Sequence, residues 1–164
     1  MLLGVALANR FPQQPARLQK LCELAGLVLE RTVTEAARRR VKAFLVEWLR
    51  VVDQSDPVRR ADLLNELLDE HTAAPRMTDH AGTGWHLHFR PDDLPADRQI
   101  AALISVGTAL HLTGRGMSRL GRCASTPCTT VFADISRNGR QRYCSPGCGN
   151  RDAVRRHRMP AVTI

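Results

Sequence analysis

Four cysteines in the last third of the chain, Cys123, Cys128, Cys144 and Cys148, fall into two close pairs. A chain that uses them together has to fold two short loops onto one point. Four sulfurs converging in this way suit a tetrahedral zinc ion, and four protein ligands fill its coordination sphere, so the expectation is one structural Zn2+ with no open position for catalysis. A fifth cysteine, Cys22, stands far away in an amphipathic segment and reads as a small buried apolar residue. The opening MLLGVALANR lacks the basic start and long apolar run of a secretion signal, so a reducing, cytoplasmic setting is expected.

The residues around the cysteines support the same geometry. Ala124-Ser125-Thr126-Pro127 between the first two are small or turn-forming, which lets both sulfurs face one ion. Thr129 to Ser136 is rich in β-formers, Asn138-Gly139 is a strong hairpin signal, and Gln141 to Cys144 would be the returning strand. Ser145 and Pro146 then suit the cap and first turn of a helix, placing Cys148 at an N-terminus whose free amides favour a thiolate. Knuckle, hairpin and ligand-bearing helix together resemble a treble clef.

Charge is unevenly divided. Residues 1 to 114 hold 14 basic and 14 acidic side chains, whereas residues 115 to 164 hold 10 arginines against Asp134 and Asp152, so the whole formal charge of +8 falls on the cysteine segment. A polyanion is the partner such a segment would attract. Arg151, Arg155 and Arg158 share a helical face, and with Arg137, Arg140 and Arg142 they could contact phosphates. Asn138 and Asn150 are candidates for reading base edges. Double-stranded DNA is the expected nucleic acid. No apolar run approaches the length needed to span a membrane.

Ahead of this segment, the apolar spacing predicts three helices between about Pro15 and His71. In the middle one, Thr32 and Glu35 fit a capping box, and Val41, Phe44, Leu45, Trp48 and Val52 fall on one face. Arg38, Arg39 and Arg40 read as its solvated side. Asp56 and Pro57 would start the next helix, carrying Ala61, Leu64 and Leu68. Between Pro75 and Pro91 the period becomes two: Trp85, Leu87 and Phe89 alternate with His86 and His88 after an Ala-Gly-Thr-Gly turn, which predicts a hairpin with the histidines on its polar face. Pro95 opens a helix to about Leu112, followed by a hinge over Thr113 to Gly116. The fold class expected is mainly α with a small β-hairpin, as a helical domain over residues 1 to 114 and a zinc finger over 115 to 164. No phosphate-cradling glycine loop, nucleophile elbow or metalloprotease helix is present, so an enzyme is not expected.

Cys148-Gly149-Asn150-Arg151, preceded by Ser136 to Arg140 and Cys144-Ser145 and followed by Val154 to Arg158, resembles the CGNR zinc finger of bacterial proteins. The segment departs from the usual pattern in the three-residue gap between Cys144 and Cys148 and in Thr129-Thr130. That family commonly carries an N-terminal helical domain called ABATE, associated with stress-induced transcription regulation. Here Val5 to Arg10, Asp62 to Leu68 and Gly84 to Phe89 are similar to it. The resemblance implies a DNA-binding transcription regulator whose N-terminal part senses a signal or forms a homodimer. Two rival expectations stay open: a finger that docks protein or RNA, and an N-terminal domain that binds a small molecule or acts on one through His80, His86, His88 or His111.

Overall fold

The computed structural model describes residues 1–79, 84–91 and 93–158; His80 and the Ala81-Gly82-Thr83 part of the predicted turn lie outside them. Among the described residues six helices and two antiparallel strand pairs follow one another: α1 (Leu2–Asn9), α2 (Pro15–Leu24), α3 (Glu35–Asp53), α4 (Pro57–His71), β1 (Arg76–Thr78), β2 (His86–His88), α5 (Ala96–Arg115), β3 (Leu120–Arg122), β4 (Val131–Ala133) and α6 (Pro146–Arg158). None of these helices is long and apolar enough to cross a membrane.

Helices α3, α4 and α5 pack against one another around Trp48, which is fully buried. The predicted stripe of α3 is the buried one: Val41, Phe44, Leu45, Trp48 and Val52 all enter the core. Burying an indole strands its N–H unless a partner is supplied. Thr108 of α5 supplies it, with Trp48 Nε1 donating to Thr108 Oγ1 at 3.0 Å. Helix α1, unforeseen in the sequence reading, closes this core with Leu3 and Leu7. Its Gly4 lets the backbone approach, since a Cβ there would meet Ile104 Cγ2 at 2.8 Å and Trp48 Cζ2 at 3.3 Å.

Several expected boundaries move. Helix α3 is capped by Thr34, whose side chain accepts from Ala37 N, and not by Thr32. Glu35 turns instead to Arg38, at 2.6 and 2.9 Å, so no capping box closes. Asp56 and Pro57 start α4 as anticipated, Asp56 accepting from Arg59 N, although Leu64 and Leu67 rather than Leu68 are its buried leucines. The hinge expected from Thr113 is helical: Thr113 Oγ1 bonds back to Ala109 O and α5 continues to Arg115. Gly116 ends it with φ of +114°, a conformation that glycine adopts freely.

The β1–β2 ribbon pairs Met77 with Leu87 and Thr78 with His86. Its residues do not sort by face as predicted, and Phe89 is half-buried like the histidines. Trp85 is 73% and Leu87 56% exposed, while His86 and His88 are half-buried with their Nε2 atoms 3.1 Å apart. Alternation of period two fixes which residues share a face, but not which face turns inward.

Candidate metal centre

Three of the four clustered cysteines lie in loops and the fourth in the first turn of a helix, and hydrogen bonds outside regular strands bring them together. Strand β3 delivers Cys123, whose N–H donates to Thr130 O at 2.9 Å, and Cys128 N donates back to Ser125 O at 2.7 Å, closing the first loop on itself. The second pair arrives differently from the sequence reading. Strand β4 pairs with β3, Arg122 opposite Val131, and not with residues 141 to 144, which form no strand.

Asp134 replaces the missing ladder. Its buried carboxylate accepts from Ser136 N at 2.8 Å and from Gln141 N at 3.1 Å, an aspartate turn that reverses the chain without a strand. Burial alone would disfavour its charge, but those hydrogen bonds and Arg119 hold its pKa below the ordinary carboxylate value. Arg119 crosses the same loop, reaching Asp134 at 3.3 Å and donating to Ser136 O at 2.8 Å. Gly139 has φ of +67° and lies so close to that guanidinium that a Cβ would force it to move. The reversal returns the chain to the first loop, where Ala124 N donates to Arg142 O and Cys144 N to Cys123 Sγ at 3.4 Å.

Helix α6 begins at Pro146, with Ser145 Oγ accepting from Cys148 N at 3.3 Å, so Cys148 lies in the first turn. Tyr143 braces this helix by donating its hydroxyl to the buried Asp152 at 2.7 Å. A side chain at Gly149 would crowd that ring, its Cβ lying 3.3 Å from Tyr143 Cδ2. Hydrogen bonding from Tyr143 and Arg155 keeps Asp152 below its ordinary pKa and therefore charged.

The result is a cluster of four Sγ atoms, all within 4.8 Å of one another. A tetrahedron of sulfurs around zinc at ~2.3 Å has edges of about 3.8 Å. Cys128–Cys144 at 3.8 Å and Cys144–Cys148 at 3.6 Å match that edge, and are far longer than a disulfide bond. The four residues fit one structural zinc ion. Without it two of the thiols are driven apart: hydrogen bonding to Thr130 pulls Cys128 down, whereas burial and the neighbouring sulfurs push Cys144 up. A divalent ion removes that conflict and displaces the protons. Arg151 donates to Cys148 Sγ at 2.8 Å, offsetting part of the charge of a four-thiolate site. Cys22 is buried in the core, its thiol pushed up to about 12 by desolvation.

The candidate nucleic-acid residues divide by what they touch. Arg137, Asn138, Arg140, Arg142 and Asn150, like Arg151, Arg155 and Arg158, are exposed. Arg155 and Arg156, however, both pair with Asp152, at 2.7 and 3.3 Å, and Arg142 lies over the Tyr143 ring at 5.9 Å. In the helical part, Arg38 and Arg40 of the triplet are engaged with Glu35 and Asp97. His111 is buried and its Nε2 bonds Arg119 O at 3.0 Å, a structural role. Sequence reasoning missed Asn9, whose carboxamide exchanges two 2.8 Å hydrogen bonds with the Val131 backbone. It also missed Asp53, which holds Arg122 bidentately at 2.6 and 3.0 Å. No local pattern marks either of these, because their partners lie 122 and 69 residues away.

Residues 119–159 match the CGNR zinc finger family, a stretch that contains all four cysteines and every residue of the Asp134 reversal. No curated protein matches the chain.

Proposed function

We propose that the chain is a DNA-binding transcription regulator, in which a zinc-held finger over residues 115 to 164 contacts duplex phosphates and the helical part over residues 1 to 114 carries an ABATE-like regulatory role. The observation that carries this reading is the set Arg137, Arg140 and Arg158. All three are exposed and none has an ion-pair partner among the described residues; Arg137 and Arg140 lie in the loop that Asp134 closes and Arg158 at the end of α6. Exposed arginines without internal partners are the ones free to release phosphate counterions. A cytoplasmic, non-enzymatic protein is part of the same reading, and so is a homodimer.

The test is the salt dependence of binding to mixed-sequence duplex DNA by the zinc-loaded protein. Each arginine that neutralises a phosphate contributes about 0.9 to the slope of log K against log salt, so Arg137, Arg140 and Arg158 changed together to glutamine should flatten it by about 3 units. The same exchange at Arg17, Lys20 and Arg39, exposed on the helical part, should leave it unchanged. If the finger variant keeps its zinc and its full salt slope, the phosphate reading fails and protein docking replaces it. Tighter binding to single-stranded RNA of equal length would reassign the nucleic acid.

A further inference from the structure

Between α5 and the β1–β2 ribbon lies a cavity of about 270 Å³, lined chiefly by Leu27, Leu87, Phe89, Leu103 and Leu110. Its polar lining is more informative than its walls. Gln99 is fully buried on the first turns of α5, and its Nε2 donates to Leu94 O at 2.8 Å, which fixes the carboxamide. The other end, Oε1, is buried with no hydrogen-bond partner among the described residues. A desolvated carbonyl acceptor left unpaired is a standing cost to the fold, and one that a ligand N–H or O–H would remove. Arg90 also lines the cavity, but its guanidinium is already taken by Glu30 Oε1 at 2.9 Å and Pro91 O at 3.1 Å. His88 lines it as well, its Nε2 3.1 Å from that of His86, so among the described residues no lining arginine or lysine is left to pair with an anionic ligand there.

We infer that this cavity is a binding site for a small, neutral, largely apolar molecule that donates one hydrogen bond to Gln99 Oε1. Its volume lies just below the usual range for ligand pockets, which sets the ligand at fragment size. The α5 face explains how the site is built. Gln99, Leu103, Val106 and Leu110 recur at helical spacing along the cavity, from the fully buried Gln99 to Leu110, which is 62% exposed. The site does not depend on whether the finger binds DNA.

Indole and 1-methylindole make the test, because they share an apolar body and differ in the one N–H. Each is titrated into the full-length, zinc-loaded, 15N-labelled protein, following the Gln99 side-chain amide and the Leu103 and Leu110 backbone signals. Indole should shift all three saturably at concentrations up to about 5 mM and bind about tenfold more tightly than its methylated counterpart. Gln99→Met should bring the two probes to equal affinity. Should that variant not fold, Leu103→Trp, which places a ring in the cavity mouth, should abolish indole binding with zinc content unchanged. Equal affinity of the two probes for the unaltered protein overturns the proposal, as does the absence of saturable shifts at Gln99. Concentration-dependent shifts of Leu103 and Leu110 without any probe would assign the face to a second copy of the chain, and would overturn it as well.

Discussion

Replacing Asn9 with alanine should destabilise the zinc-loaded protein by about 2 kcal/mol. Asn9 ends α1, and its carboxamide acts as a surrogate strand for β4: Nδ2 donates to Val131 O and Oδ1 accepts from Val131 N, both at 2.8 Å. Val131 is 2% exposed and belongs to the same apolar cluster as Trp48 and Leu7. Truncation removes two hydrogen bonds worth roughly 1 kcal/mol each and leaves a backbone donor and acceptor to be satisfied, at roughly 1–3 kcal/mol apiece where water cannot reach. Asn9 itself is exposed, so water can follow the departing side chain, and the low end of that range applies. Asn9→Asp is the sharper variant. It keeps the acceptor for Val131 N but sets a carboxylate oxygen against Val131 O, so it should cost at least as much as alanine. Urea unfolding followed by far-ultraviolet circular dichroism, under reducing conditions without chelator, reads both variants. A loss below about 0.5 kcal/mol for Asn9→Ala, with the denaturant slope unchanged, would refute the view that this carboxamide couples α1 to the finger.

Zinc content by elemental analysis should be one ion per chain and unchanged in Cys22→Ala, since Cys22 lies in the helical core, and it should be lost in Cys148→Ser, which weakens one of four ligands. Thr108→Val should cost about 2 kcal/mol in the same urea assay, because it keeps the shape but strands the Trp48 indole N–H; a cost under ~0.5 kcal/mol would mean that the indole finds another acceptor. His71 packs edge-on against Phe44 at 5.0 Å, with Arg98 and Glu70 beside it, and burial lowers its pKa below 6.5. The unfolded chain therefore takes up a proton first as pH falls, so this contribution is fully present above about pH 6.5 and is lost below it. Melting temperatures at pH 7.5 and 5.5 should differ more for the unaltered protein than for His71→Gln; an equal difference would dismiss burial of His71 as a source of acid sensitivity.

The legible parts of the chain were those encoded by short-range pattern. The buried stripe of α3 follows from spacing alone, because Val41, Phe44, Leu45, Trp48 and Val52 recur every three or four residues. The cysteine cluster follows because both pairs are local and the intervening residues form turns. Where the reading failed, the deciding partner was remote or the local signal had two solutions. Thr32 and Thr34 both precede Glu35, and only the Ala37 N–H distinguishes the real cap. Asn138-Gly139 signalled a hairpin and did mark a positive-φ glycine, yet β4 took β3 as its partner because Asp134 already closes the loop. The Asp-x-Ser sequence carried that turn in plain view. Asn9, Asp53 and Gln99 had no readable signal, since their roles exist only once the helices and strands have met.

The charge that suggests a polyanion is smaller in the folded protein than in the sequence. Of the ten arginines in the finger segment, Arg119 and Arg122 are taken by Asp134 and Asp53, and Arg155 and Arg156 by Asp152. Arg151 faces a zinc-ligand sulfur. These side chains hold the loop, the docking of β3 and the start of α6 in place, so removing them would disturb the scaffold as well as any ligand contact. Arg115, Arg137, Arg140, Arg142 and Arg158 have no ion pair among the described residues, although Arg115 donates to Ile135 O and Arg142 rests on Tyr143. A phosphate surface built from this finger would therefore draw on about five arginines rather than ten, which sets a salt slope of about 4.5 as its ceiling. A measured slope well above that would require the structural arginines to exchange Asp134 or Asp152 for phosphate. Loosening of the loop on binding would then appear as faster amide exchange at Ser136 and Gln141, the two backbone N–H groups that Asp134 holds.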